Sequence, residues 1–159
     1  MDQLALAQEL LALAREKGAV ISTAESCTGG LLAGAITEIP GASEIFERGF
    51  VTYTNVAKSE MLGVRAENLE TYGAVSEQVA VEMAQGALIH STATVALSVT
   101  GIAGPGGSDH KPEGRVCFAL AQSGQLTIAE TVEFGAVGRT NVRKASVAHG
   151  LQMLIAALN

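Results

Sequence analysis

Tryptophan is absent, and only two tyrosines and four phenylalanines occur in 159 residues. Large rings therefore cannot supply most of the core. Its bulk must come from Leu, Val, Ile and many Ala, with 18 glycines permitting close backbone approach. Cysteine is scarce as well. Cys27 and Cys117 make no disulfide framework and point to a reducing compartment, the cytoplasm. Basic residues are few, ten against sixteen acidic ones, for a net charge of −6. Such a surface repels phosphate backbones and anionic bilayers, so neither a nucleic acid nor a membrane is an expected partner. No apolar run reaches the roughly 18 residues of a membrane span. Asp2, Gln3, Gln8 and Glu9 stand where a signal peptide would be basic and then apolar. His90, His110 and His149 match no metal-ligand spacing, and no metal or cofactor is expected. With no Pro-rich linker, repeat or low-complexity tract, residues 1–159 read as a single domain. A chain of this length buries roughly 70% of its unfolded surface.

The hydrophobic pattern specifies alternating elements. Leu4, Ala7, Leu11 and Ala14 predict a helix over 3–17 that stops at Gly18. Strands are predicted at 19–24, 48–54 and 94–100. Two more, 114–122 and 125–133, join in a hairpin at Ser123-Gly124. Helices are predicted from Leu31, near 56–62 and 66–71, after the N-cap Ser76, and over about 139–157. The order implies a three-layer α/β/α sandwich, its sheet parallel in part and antiparallel at the hairpin.

Four segments carry candidate chemistry. In Glu25-Ser-Cys-Thr-Gly-Gly30, Ser26 lies between a strand end and a helix start, where open α/β sheets place ligands. The helix N-terminus beyond it offers donors for a phosphate or for the oxyanion of serine attack; the same residues also suit a plain cap with glycines for packing. The G-x-S-x-G elbow is not matched, because Ala24 and Thr28 occupy its glycine positions. In the second segment, Tyr53 closes a strand and Lys58 follows one helical turn later. A lysine acts as general base only when desolvation or nearby positive charge keeps it neutral, and the same spacing equally fits a surface lysine. The third, Thr100-Gly-Ile-Ala-Gly-Pro-Gly-Gly107, is glycine-rich enough to present amides to an anion or to serve as a flexible connection, and is neither a P-loop nor a Rossmann fingerprint. The fourth, Arg139-Thr-Asn-Val-Arg143-Lys144, places three of the ten basic residues within six positions. Arg139 and Arg143, at i and i+4, share a helix face that suits a phosphate or simple solvation. Cys27 and Cys117 read as packing residues.

Taken together, AESCTGG (24–30), GFVTYTNVAK (49–58), YGAVSE (72–77), SVTGIAGPGG (98–107) and RTNVR (139–143) resemble the CinA C-terminal family of nicotinamide mononucleotide deamidases, in order and over nearly the whole chain. The resemblance implies an amidohydrolase that converts nicotinamide mononucleotide to nicotinate mononucleotide and ammonia in pyridine nucleotide recycling, and a homodimer. It implies Ser26 as nucleophile, Lys58 as base and Tyr53 as their partner. Thr28, Gly29, Gly30, Thr100, Gly101 and Arg139 would surround the substrate, with Arg143 beside them. The chain departs from the family pattern at Gly138, where many relatives are acidic, and at Glu113, where many have Val. Longer members carry a further N-terminal domain, so this chain would be the stand-alone form. The competing expectation is a non-catalytic nucleotide-binding module associated with competence or DNA damage.

Overall fold

The structure, a computed structural model, describes residues 2–108 and 110–159. Helix α1 (Gln3–Lys17) starts where the Asp2 carboxylate accepts the Ala5 N–H, and it ends at Gly18, φ 65°. Its buried stripe is Leu6, Ala7, Leu10, Leu11 and Ala14. Leu4, expected on that stripe, is exposed. The contact face is centred on Leu10, and six residues at about 100° each turn Leu4 roughly 120° away from it.

The elements that follow are β1 (Ile21–Glu25), α2 (Leu31–Thr37), a 3₁₀ turn at Ala42–Glu44, β2 (Phe46–Val51), α3 (Asn55–Leu62), α4 (Ala66–Tyr72) and α5 (Glu77–Ile89). Then come β3 (Val95–Gly101), β4 (Arg115–Gln122), β5 (Ile128–Glu133) and α6 (Arg139–Leu158). Two strand boundaries differ from the sequence reading by three residues, the others by at most two. Strand β2 stops at Val51 rather than 54, because Thr54 turns away to cap α3, its hydroxyl accepting the Ala57 N–H at 3.1 Å. Strand β5 begins at Ile128 rather than 125. The Gln125 N–H closes a turn on the Gln122 carbonyl (3.2 Å), and pairing opens with Leu120 opposite Ile128.

The sheet order is β2-β1-β3-β4-β5. Strands β2, β1 and β3 are parallel, while β3, β4 and β5 are antiparallel. From β1 the chain winds outward to β2, then crosses back to place β3 on the other side of β1. The carboxyl ends of β1 and β3 therefore flank a topological switch point, the crevice where such sheets bind ligands.

The two faces of the sheet differ in bulk. Val95, Leu97, Val99, Val116, Phe118 and Leu120 point into one cluster shared with α1, α2 and α6. The alternate residues Ala96, Cys117, Ala119 and Ala121 face α5. These small side chains let α5 approach closely enough for the Ser98 hydroxyl to donate to the Ala80 carbonyl at 2.6 Å. The scarcity of aromatics thus becomes a tight interlayer contact. Gly86 of α5 is pressed against α3: a Cβ there would stand 2.1 Å from the Leu62 carbonyl oxygen. Because the obstacle is backbone, Gly86→Ala is expected to destabilise the fold by about 1–3 kcal/mol, read as a lower denaturant midpoint.

Candidate active site

Ser26 immediately follows β1 and donates its N–H to the Val99 carbonyl of β3 (2.9 Å), which fixes it at the switch point. Lys58 arrives from the first turn of α3, 32 residues later, and its Nζ lies 2.9 Å from Ser26 Oγ. It also donates to the carbonyls of Thr52 (2.8 Å) and Tyr53 (3.3 Å). Lys58 is 1% exposed, and all three of these partners are neutral oxygens. Burial lowers its pKa from 10.5 to about 8, partly opposed by Cys27. The hydrogen-bond count suits both protonation states. An ammonium has three donors for three acceptors. A neutral amine keeps two donors for the carbonyls and turns its lone pair toward the serine hydroxyl.

The turn that carries Ser26 is fastened from within. The Glu25 carboxylate is fully buried and accepts from Thr28 Oγ1 and from the N–H groups of Gly30, Leu32 and Ala33. Those are donors of the turn and of the first residues of α2. From outside the turn, Arg143 donates to the carbonyls of Cys27 (3.1 Å) and Thr28 (3.4 Å). Gly30, at φ 104°, completes a conformation that side-chain-bearing residues rarely adopt. Cys27 is buried beside the serine, and burial pushes its thiol up to about 11, so it is not a thiolate at neutral pH.

A cavity of about 330 Å³ opens in front of this pair. Ser26, Lys58, Tyr53, Thr100, Gly101, the glycine loop through Ser108, Lys111 and Arg139 line it, together with Ala74 and Val75. Arg139 spans one wall, donating to the Gly104 carbonyl (2.8 Å) and to the Tyr53 hydroxyl (3.0 Å). Lys111 ties the opposite loops by donating to the carbonyls of Tyr72 and Val75, both at 2.5 Å. Thr100 donates to the Ala74 carbonyl (2.8 Å). Behind the glycine loop, Glu113 Oε1 accepts the Gly106 N–H at 2.5 Å and fills the space beside Gly104.

The structure brings together Ser26, Tyr53, Lys58, Thr100, Gly101 and Arg139. It sets Thr28, Gly29 and Gly30 outside the cavity lining, on the serine turn, and Arg143 outside it on α6, bonded to that turn. Arg139 and Arg143 do not form a joint grip, since each is committed to a different loop. The contact of Tyr53 with Lys58 runs through its backbone carbonyl, while its phenol faces Arg139. The sequence reading assigned no role to Glu25 or Lys111 and marked Glu113 only as a departure from the family pattern, yet all three hold the loops of the site. The available signal for Glu25 was a carboxylate ending an otherwise uncharged buried strand just before a helix.

Fold and site together define a doubly wound α/β protein with a serine–lysine pair at its switch-point crevice. The CinA C-terminal domain family matches residues 3–158, and the chain belongs to that family. The nicotinamide-nucleotide amidohydrolase PncC of Escherichia coli is 52% identical over 88% of this chain and 85% of its own length. A protein of Symbiobacterium thermophilum named as competence-damage inducible is 49% identical over 96% of this chain, which spans only 38% of that longer protein. Among solved structures, the competence/damage inducible protein CihA of Agrobacterium tumefaciens superposes with a TM-score of 0.96 at 50% identity. That match covers all of this chain and 97% of the other. Among the described residues, no helix is long and apolar enough to cross a membrane.

Proposed function

We propose that this protein is a nicotinamide-nucleotide amidohydrolase that uses Ser26 as nucleophile and Lys58 as base to convert nicotinamide mononucleotide and water into nicotinate mononucleotide and ammonia, within pyridine nucleotide recycling. The observation that carries the reading is the 2.9 Å contact between Ser26 Oγ and a buried lysine amine whose pKa burial brings to about 8. The similarity to PncC over most of both chains supplies the substrate class.

Neutral Lys58 takes the Ser26 proton as Oγ bonds to the carboxamide carbon. The carbonyl electrons move onto oxygen, where the Cys27 amide is the donor we assign. The α2 N-terminus is ruled out for that role because its amides already donate, Leu31 to the Thr28 carbonyl and Leu32 and Ala33 to Glu25. Collapse breaks the C–N bond as the Lys58 ammonium gives its proton to the leaving nitrogen, which departs as ammonia. Water then attacks the acyl-enzyme, losing a proton to Lys58, which passes it to Ser26 Oγ as the acyl C–O bond breaks. The pyridinium charge makes this carboxamide more electrophilic than an ordinary amide.

Thr100, Gly101 and Arg139 are assigned to the substrate, while Thr28, Gly29, Gly30 and Arg143 support the serine turn. The guanidinium of Arg139 retains donors beyond those used on Gly104 and Tyr53, and these suit the phosphate. Arg139→Ala is expected to raise KM about 10- to 100-fold with kcat changed much less, measured by ammonia release across substrate concentrations. Ammonia release from nicotinamide mononucleotide by the wild-type protein tests the function itself. Tight binding without turnover would favour the non-catalytic nucleotide-binding module instead. A homodimer is part of the same proposal, and a light-scattering mass of one 16.3 kDa chain would overturn that part.

A further inference from the structure

Glu25 is a fully buried carboxylate whose partners are all neutral donors. Oε1 accepts from Thr28 Oγ1 (2.5 Å), Gly30 N (3.3 Å) and Leu32 N (2.9 Å), and Oε2 accepts from Ala33 N (2.9 Å). Burying a charge is costly unless donors replace its lost water, and here the start of α2 provides them. The arrangement also closes a loop. The last residue of β1 is bonded to the first residues of α2, and the segment between them is the one that carries Ser26. Within that loop, the Ser26 carbonyl accepts the Gly29 N–H (3.1 Å).

We propose that Glu25 is the positioning residue of the nucleophile: by gathering the Thr28 hydroxyl and the α2 amides onto one carboxylate, it sets the turn that holds Ser26 Oγ against Lys58. This rests on the reading of Ser26 as nucleophile. It goes beyond it by assigning the geometry of the pair to a residue that touches neither substrate nor lysine. The isosteric Glu25→Gln keeps one acceptor oxygen but turns an NH₂ group toward donors, so the turn must shift. Displacements on the scale of 1 Å cost about 100-fold in reactions of this kind.

The test is phosphonylation of Ser26 by a fluorophosphonate, followed by intact-protein mass. In that reaction the Oγ–P bond forms, the P–F bond breaks, fluoride leaves and the hydroxyl proton passes to Lys58. The amplitude reports the folded fraction, whereas the rate constant reports the geometry of each folded molecule. A positioning role predicts that Glu25→Gln reacts about 10- to 100-fold more slowly at full amplitude. A purely structural role predicts a lower amplitude at the wild-type rate and overturns the proposal. Should Glu25→Gln fail to fold, Thr28→Val removes only one donor; the expected result is about 3- to 10-fold slower phosphonylation at full amplitude. A wild-type rate in Thr28→Val would overturn the proposal. Wild-type protein that reacts with the probe yet releases no ammonia from nicotinamide mononucleotide would refute the substrate assignment and leave this one standing. Failure of wild-type Ser26 to react would remove both.

Discussion

Ser26→Ala is expected to lower ammonia release from nicotinamide mononucleotide by about 10⁵-fold or more, the scale on which serine hydrolases fall when the nucleophile is removed. The substitution deletes one oxygen and little else. The Ser26 N–H still reaches the Val99 carbonyl, Glu25 still gathers the start of α2, and Lys58 keeps the Thr52 and Tyr53 carbonyls. The variant should therefore fold, and it should bind nicotinamide mononucleotide with an affinity close to wild type, measured by calorimetry. Loss of turnover with retained binding separates a missing nucleophile from a damaged cavity. Turnover within tenfold of wild type would show that some other group attacks the amide.

Lys58→Met is expected to cost about 10²- to 10⁴-fold in kcat, the usual contribution of a positioned general base. Met preserves most of the buried volume, which limits the packing loss, although the Thr52 carbonyl loses its side-chain donor. The pH profile gives the sharper readout. A base works in its neutral form, and burial brings Lys58 to about 8 from 10.5. In the wild type, kcat/KM should rise about tenfold per pH unit below that value and level off above it. In Lys58→Met the rising limb should vanish, leaving a low and nearly flat rate. A limb retained with the same midpoint would assign the titration to another group.

The layered fold was legible because its signals are local. The N-cap Ser76, the stop at Gly18 and alternating strands rich in Val and Ala mark the elements within a few residues. Boundaries failed where a neighbour decided them, as when Thr54 left the β2 pattern to cap α3. Ser26 was readable from its place between a strand and a Gly-Gly helix start. Its pairing with Lys58 came only from the family resemblance, since no spacing rule spans 32 residues and the contact exists because α3 packs beside the switch point. Arg139 and Arg143 illustrate the limit of periodicity. They share one helix face, but four residues advance about 6 Å along the axis, enough to meet the glycine loop with one and the serine turn with the other. Glu25 was unreadable for a related reason: its role depends on amides that become donors only once α2 has formed.

The central claim is that Ser26 carries the acyl group while Lys58 moves the proton. The most direct measurement is rapid acid quench of the wild-type protein during turnover of nicotinamide mononucleotide, with intact mass and peptide mapping of the trapped species. The account predicts an added acyl mass on the Ser26 peptide, formed with a burst of ammonia and absent from Ser26→Ala. Sustained ammonia release with no burst and no adduct on Ser26 would contradict it and point to direct attack by water.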